Sequence, residues 1–179
     1  MKMTSQNLLS FTALPRLLLI LGIILLSGVA LKAAPSTATV FAVSGTVEFK
    51  VPGGFSFAPL KKGAILAIGT TIRTGEDGTA TLVTTPGSAI QIGHDSNLKL
   101  NDLAYGANGK TVTERKAVMT LNEGVVTALI DPKTPKITDF KIQTPQGAAA
   151  ARGTYYAVLV MKGKTYIGVK EGKVAATSR

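Results

Sequence analysis

The chain's one histidine lies in Gly93-His94-Asp95-Ser96-Asn97, beside an aspartate and a serine. A nucleophile and its general base must meet across a hydrogen bond, and neighbours in sequence cannot face each other that way. The segment is therefore expected to be an exposed turn in which Asp and Asn serve the turn geometry. A calcium site would need more carboxylates than Asp95 and Asp102 supply. Glu76, Asp77 and Asp131 fall in turn-like stretches, and no two acids stand out as the opposed pair of a glycosidase. With no Cys, a thiol enzyme, a Cys-based zinc site and a disulfide scaffold are excluded. These residues predict no enzyme, no metal and no cofactor.

Binding chemistry has better candidates. Arg152, in Ala151-Arg-Gly153-Thr154, offers a forked guanidinium to a carboxylate or to the backbone carbonyls of a partner. Its blander role is to bridge a turn. Thr144-Pro-Gln146-Gly147, followed by Ala148 to Ala151, is a flat run of small side chains. Another chain's backbone could approach it closely, or a neighbouring sheet layer could pack on it. Arg152, Gly153, Thr154, Thr144 and Gln146 are thus the candidate partner-binding residues. The lysines are scattered from Lys61-Lys62 to Lys173, either as a patch for an anionic glycan, lipid or wall polymer, or as solvated turn and edge residues. Nucleic acid is not expected of an exported chain without an aromatic stacking platform.

What positions these residues starts after an address. Leu17 to Leu31 has 12 apolar residues of 15 and no charge. Lys2 and Arg16 precede it, and small residues follow at Ser27, Gly28, Ala30, Ala33 and Ala34. This is the pattern of a secretory signal peptide, shorter than the roughly 20 residues of a spanning helix. Residues 1–33 are read as signal, cut after Ala33, with Ala30 as the rival cut and an uncleaved anchor as the alternative. Residues 34–179 then form one domain with 17 basic and 10 acidic residues, a net charge of +7. No later run is long enough to span a membrane, so none is expected once the signal is removed.

The domain reads as strands. Phe41, Val43, Gly45, Val47 and Phe49 alternate with polar or small residues, as in a half-buried strand. Shorter strands are expected at 70–74, 79–84, 88–92 and 98–100, and again at 117–121, 124–130, 140–144, 165–170 and 173–176. Residues 154–161 are apolar on both faces, which predicts a central strand covered on two sides. Turn residues every 8–12 positions argue for an all-β fold of short antiparallel strands, as a two-layer roll, sandwich or solenoid. Ser44-Gly-Thr-Val47, Glu123-Gly-Val-Val126 and Glu171-Gly-Lys-Val174 form an internal echo, each Gly expected at a bulge or tight turn.

The order of these pieces resembles the FecR domain family. The resemblance is carried by Gly45-Thr-Val47, Pro59-Leu-Lys-Lys-Gly63, Ile68-Gly-Thr-Thr-Ile-Arg-Thr-Gly75 and Gly78-Thr-Ala-Thr-Leu82. It continues through Gly87-Ser-Ala-Ile-Gln-Ile92, Ile142-Gln-Thr-Pro-Gln-Gly-Ala-Ala-Ala-Ala-Arg-Gly-Thr-Tyr155 and Val169-Lys-Glu-Gly-Lys-Val174. Ala64 stands where the family often has Asp, and Phe55 and Phe57 where it often has Trp. Only 16 residues precede the apolar run, too few for the cytoplasmic anti-sigma segment of the membrane-bound regulators. The resemblance implies a free-standing, secreted, all-β FecR domain. The expected function is binding an envelope protein partner in sensing or signalling. The alternative is a structural or polyanion- and glycan-binding envelope protein.

Overall fold

The computed structural model describes residues 36–178. The signal peptide read at 1–33 lies outside them. Fourteen strands follow in order: β1 (Ala38–Ser44), β2 (Val47–Lys50), β3 (Ala58–Pro59), β4 (Ile65–Leu66), β5 (Thr71–Thr74), β6 (Thr79–Thr85) and β7 (Ser88–Ile92). Then come β8 (Asn97–Asn108), β9 (Thr111–Ile130), β10 (Thr138–Thr144), β11 (Gly147–Ala151), β12 (Tyr155–Met161), β13 (Lys164–Glu171) and β14 (Val174–Ser178). A 3-10 turn at Pro135–Ile137 is the one helical piece among the described residues. None of their helices is long and apolar enough to cross a membrane.

The strands form one curled sheet with two arms that meet at β9. The first half of β9 pairs with β8 on one side and, in parallel, with β10 on the other. Its second half pairs with β7 and β12, both antiparallel. The first arm runs β3-β2-β5-β8-β9-β10-β11-β14 and the second runs β4-β1-β6-β7-β9-β12-β13. All other pairings are antiparallel. Both arms close on a single core that includes Ile72, Leu98, Leu100, Met119 and Phe140 from the first and Leu82, Ile90, Ile92, Val126 and Val158 from the second. Phe140 and Tyr156 meet across the arms edge to face, with ring centroids 6.5 Å apart.

Period-two alternation explains how one strand serves both arms. In β9, Ala117, Met119 and Leu121 are buried, then Val126, Ala128 and Ile130: odd numbers give way to even ones. The phase changes at Asn122-Glu123-Gly124, where the β8–β9 register also slips. This is a β-bulge that inserts one residue and bends the strand. Gly124 holds φ at +90°, and a Cβ there would collide with Ser96 Oγ and Cα and stand 2.6 Å from the carbonyl of Asp95. The Ser96 hydroxyl accepts the N–H of Val125 at 3.0 Å and donates to the carbonyl of His94 at 3.0 Å. Thr74 Oγ1 accepts the N–H of Ser96 at 2.9 Å and donates to the carbonyl of Gly93 at 2.6 Å.

The sequence echo marks the same device. Gly45 (φ +64°) lies between β1 of the second arm and β2 of the first, and Gly172 (φ +88°) between β13 and β14. At Gly45 the corner is held by Asp77, whose carboxylate accepts the N–H of Thr46 at 3.1 Å. That bond lowers the Asp77 pKa below the ordinary carboxylate value.

The structure corrects several expectations. The strand read from Phe41 to Phe49 is two strands in different arms. A bulge between Val40 and Ala42 throws Phe41 out of the core, 63% exposed, with Lys62 Nζ 5.8 Å from its ring centroid. The segments 117–121 and 124–130 are one strand, and Ala148 to Ala151, which could have made a helical turn, are extended in β11. The β8–β9 hairpin also extends well past the expected 98–100, to a tip at Gly109 (φ +58°). Finally, β12 is covered on one side only: Tyr156, Val158 and Val160 are buried, while Tyr155, Ala157 and Leu159 are half-exposed.

Gly124→Ala should lower stability by about 2 kcal/mol or more, because strained backbone and contact with fixed backbone add together. Gly109→Ala, with nothing within 4 Å of its Cβ, should cost about 1 kcal/mol. Urea unfolding midpoints compare the two. For Asp77, whose folded pKa is depressed, the stabilisation over Asp77→Ala should be complete above pH 3.8 and vanish as pH falls through the lowered value. Unfolding measured across that acid window checks the sign.

Candidate functional site

The predicted binding residues separate into two places at opposite ends of β11. At one end, Thr144 and Gln146 belong to the β10–β11 turn. Thr165 Oγ1, reaching across from β13 of the other arm, lies 2.6 Å from Gln146 Oε1 and 2.9 Å from Thr144 Oγ1. Thr144 is buried and also donates to the carbonyl of Gly147 at 3.3 Å. These side chains fasten the arms together. Thr165, which completes the fastening, was not foreseen, since nothing in its local sequence sets it apart.

At the other end, Arg152 and Gly153 form the corner from β11 to β12. Arg152 is exposed and makes no ion pair among the described residues. Gly153 sits at φ +83°, and a Cβ there would strike Pro132. Thr154 is buried and donates to the carbonyl of Lys173 at 3.1 Å, which holds the start of β14 against the corner. Of the five candidates, Arg152 is thus the one whose polar head is free for a partner, while Gly153 and Thr154 set its surroundings.

Around Arg152 lies an open groove of ≈ 680 Å³ on the outer face of the first arm. Its floor is made by register: Lys141 is opposite Ala150, and Ala150 is opposite Ala175. Alternate residues of three neighbouring strands therefore present two methyl groups and one lysine stem. Arg152, Lys173 and Asp139 supply the rest of the charge in its lining. Three cations face one carboxylate over a shallow alanine floor. Such a surface admits an extended chain close to the sheet and attracts its acidic groups. Lys141 and Lys173 are 32 positions apart in the chain, and only the pairing of β10, β11 and β14 brings them together.

Next to the groove the outer face of the first arm is polar and internally satisfied. Asn101 Nδ2 donates to Thr120 Oγ1 at 2.6 Å and to Gln143 Oε1 at 2.9 Å. Lys116 Nζ lies 2.6 Å from an Asp102 carboxylate oxygen, and that hydrogen bond raises the lysine pKa. The histidine segment has no nucleophilic arrangement. His94 and Asp95 are exposed and 3.2 Å apart, and the Ser96 hydroxyl is committed to backbone at the β9 bend. No cluster of three metal-ligating side chains occurs among the described residues.

Arg115 is a functional-looking residue with a structural setting. It is only 8% exposed, and one guanidinium nitrogen donates to Thr134 Oγ1 at 2.7 Å. It anchors the 131–137 loop beneath β9.

A family model described as FecR protein matches residues 70–175. No curated protein and no solved structure matches the chain.

Thr165→Val should cost about 1 kcal/mol for the lost hydrogen bond across the arms, read as a lower urea midpoint. The Arg152 groove should be left intact, so any probe bound there should keep its affinity.

Proposed function

The chain belongs to the FecR protein family, and from that premise we propose an extracytoplasmic binding module that docks an acidic, extended protein segment in the Arg152 groove. The family is a signalling-regulatory one, not known as enzymatic, and its proteins are envelope-associated. In this reading the module works by occupancy and not by turnover. Residues 1–33 direct its export and are removed, and residues 34–179 are the working domain.

The observation that carries the reading is the groove itself: Lys141, Arg152 and Lys173 over the Ala150–Ala175 floor. A flat floor lets a backbone approach, and three cations give the approaching chain a preferred charge. The cations also support the second reading, in which an anionic polymer takes the place of the protein segment. The two differ in what the floor does. A peptide uses it, whereas a flexible polyanion needs only the charges.

The probes are a ten-residue acidic peptide of high β propensity and a linear anionic polysaccharide, titrated separately into residues 34–179 at two salt concentrations. Arg152→Glu should weaken the peptide at least tenfold with an unchanged circular dichroism spectrum. Ala150→Lys, which fills the floor while adding positive charge, should weaken the peptide but strengthen the polymer. Polymer binding alone would favour the second reading, and no binding of either would reject the groove. The intact mass of the exported protein should correspond to a chain beginning at Ala34, or at Leu31 if the rival cut is used.

A further inference from the structure

The two arms divide the chain's charge unequally. The strands β4, β1, β6, β7, the second half of β9 and β12 contain no Asp, Glu, Lys, Arg or His at all. In the first arm, β2, β5, β8, β10 and β9 up to Glu123 carry eleven charged side chains, among them Glu48, Arg73, Lys99, Asp102 and Lys141. A solvated sheet face ordinarily alternates apolar-in with polar-out. From β4 to β12 the second arm keeps the apolar-in half of that rule and discards charge from the other half; charge returns only at its last strand, β13, where Lys170 Nζ stands 4.9 Å from the Tyr155 ring centroid.

Its outer face carries an ordered apolar row. Ile65 is opposite Thr39, Thr39 opposite Val83, Val83 opposite Ala89, Ala89 opposite Leu129, and Leu129 opposite Tyr155. The row crosses six strands, interrupted only by the hydroxyl of Thr39. Ile65 is 70% exposed, Leu129 58% and Val83 37%. A second row, Thr81, Gln91, Thr127 and Ala157, runs beside it with short or uncharged side chains. This is the surface that makes β12 read as covered on both sides, yet within one chain only one side is covered.

We propose that a second copy of this chain covers it, the two second-arm faces stacking as a symmetric sheet-on-sheet dimer. Charge selects this occupant. Two copies with a net charge of +7 each repel one another, and a face without charge is where that repulsion is smallest. A partner chosen by its own charge would find only Lys170 and Asp131, of opposite sign and at the rim. The face also suits self-pairing, because a two-fold contact sets each patch on its own copy. Six strands about 4.8 Å apart and five residues deep give a footprint of about 500 Å² per copy. The pair then reaches about 1,000 Å², the threshold for a specific interface, so a reversible dimer is expected and not an obligate one. The Arg152 groove lies on the opposite arm and stays open in both copies.

Sedimentation of residues 34–179, which hold the whole core, tests this. A concentration-dependent dimer is expected, with affinity kept or improved in higher salt. Leu129→Lys should raise the dissociation constant at least tenfold with an unchanged circular dichroism spectrum. Because the chain has no Cys, Ala89→Cys, mid-row, should be linked into a dimer by a bismaleimide of about 10 Å reach, the spacing of stacked sheets, and Lys99→Cys on the other arm should not. That pair decides the matter even if Leu129→Lys misfolds. A monomer at all concentrations, or a dimer dissociated by Arg152→Glu and untouched by Leu129→Lys, overturns the proposal. The first result leaves peptide binding in the groove untouched, and the second would make the groove itself the dimer interface.

Discussion

One residue's backbone governs whether this chain has a core. β9 contributes its odd-numbered side chains to one arm of the sheet and its even-numbered ones to the other. A strand that kept its phase would turn Val126, Ala128 and Ile130 toward solvent. The bulge at Asn122 and the left-handed backbone of Gly124 prevent this, and they leave no room for a side chain against Ser96. The polar atoms around the bend are used up in the same place: Ser96 binds the backbone after the bend, and Thr74 binds Ser96. The segment expected to be only an exposed turn is therefore the brace of the fold, with Ser96 buried in it. Ser96 cannot serve as a nucleophile because Val125 and His94 already occupy its hydroxyl.

How far the sequence could be read follows from what each signal measures. Alternation measures which side of a strand is wet, and it found most strands. It failed at Phe41, where a bulge breaks the period, and in the β8–β9 hairpin beyond Leu100. There Asn101, Asp102, Lys116 and Thr120 satisfy one another across strands, leaving no hydrophobic period to read. The Gly-x-Val echo was legible as a pattern, and its meaning, a corner between two arms, required the pairing. The site was half legible. Arg152 was found because its type and its place before a long strand were unusual. Lys141 and Lys173 were visible only as members of a scattered set, because the register of β10, β11 and β14 is a long-range fact. Thr144 and Gln146 were grouped with Arg152 by their nearness in sequence. An extended β11 carries them to its far end.

The partition of charge connects fold to function. In the first arm, ion pairs and amide ladders keep the outer face hydrated and leave one cationic groove as its distinctive feature. In the second, Thr39, Thr81, Gln91 and Thr127 supply the polar groups of an outer face on which Ile65, Val83 and Leu129 are exposed. A single sheet thus carries two surfaces of different chemistry, held in fixed relation by the strand they share.

In both arms the strands lie close to chain order, from β3 and β4 at one end to β13 and β14 at the other. The early end is closed by two-residue strands, one of them containing Pro59, whereas β13 and β14 pair on one side only. The corner that passes the chain between arms is local, a glycine with a valine two residues behind it, and does not depend on how many strands precede it. The architecture therefore has no intrinsic length. Further strands could be appended beyond β14 by the same corner without repacking what came before, so domains of different size can share this design while keeping the same bend at their centre.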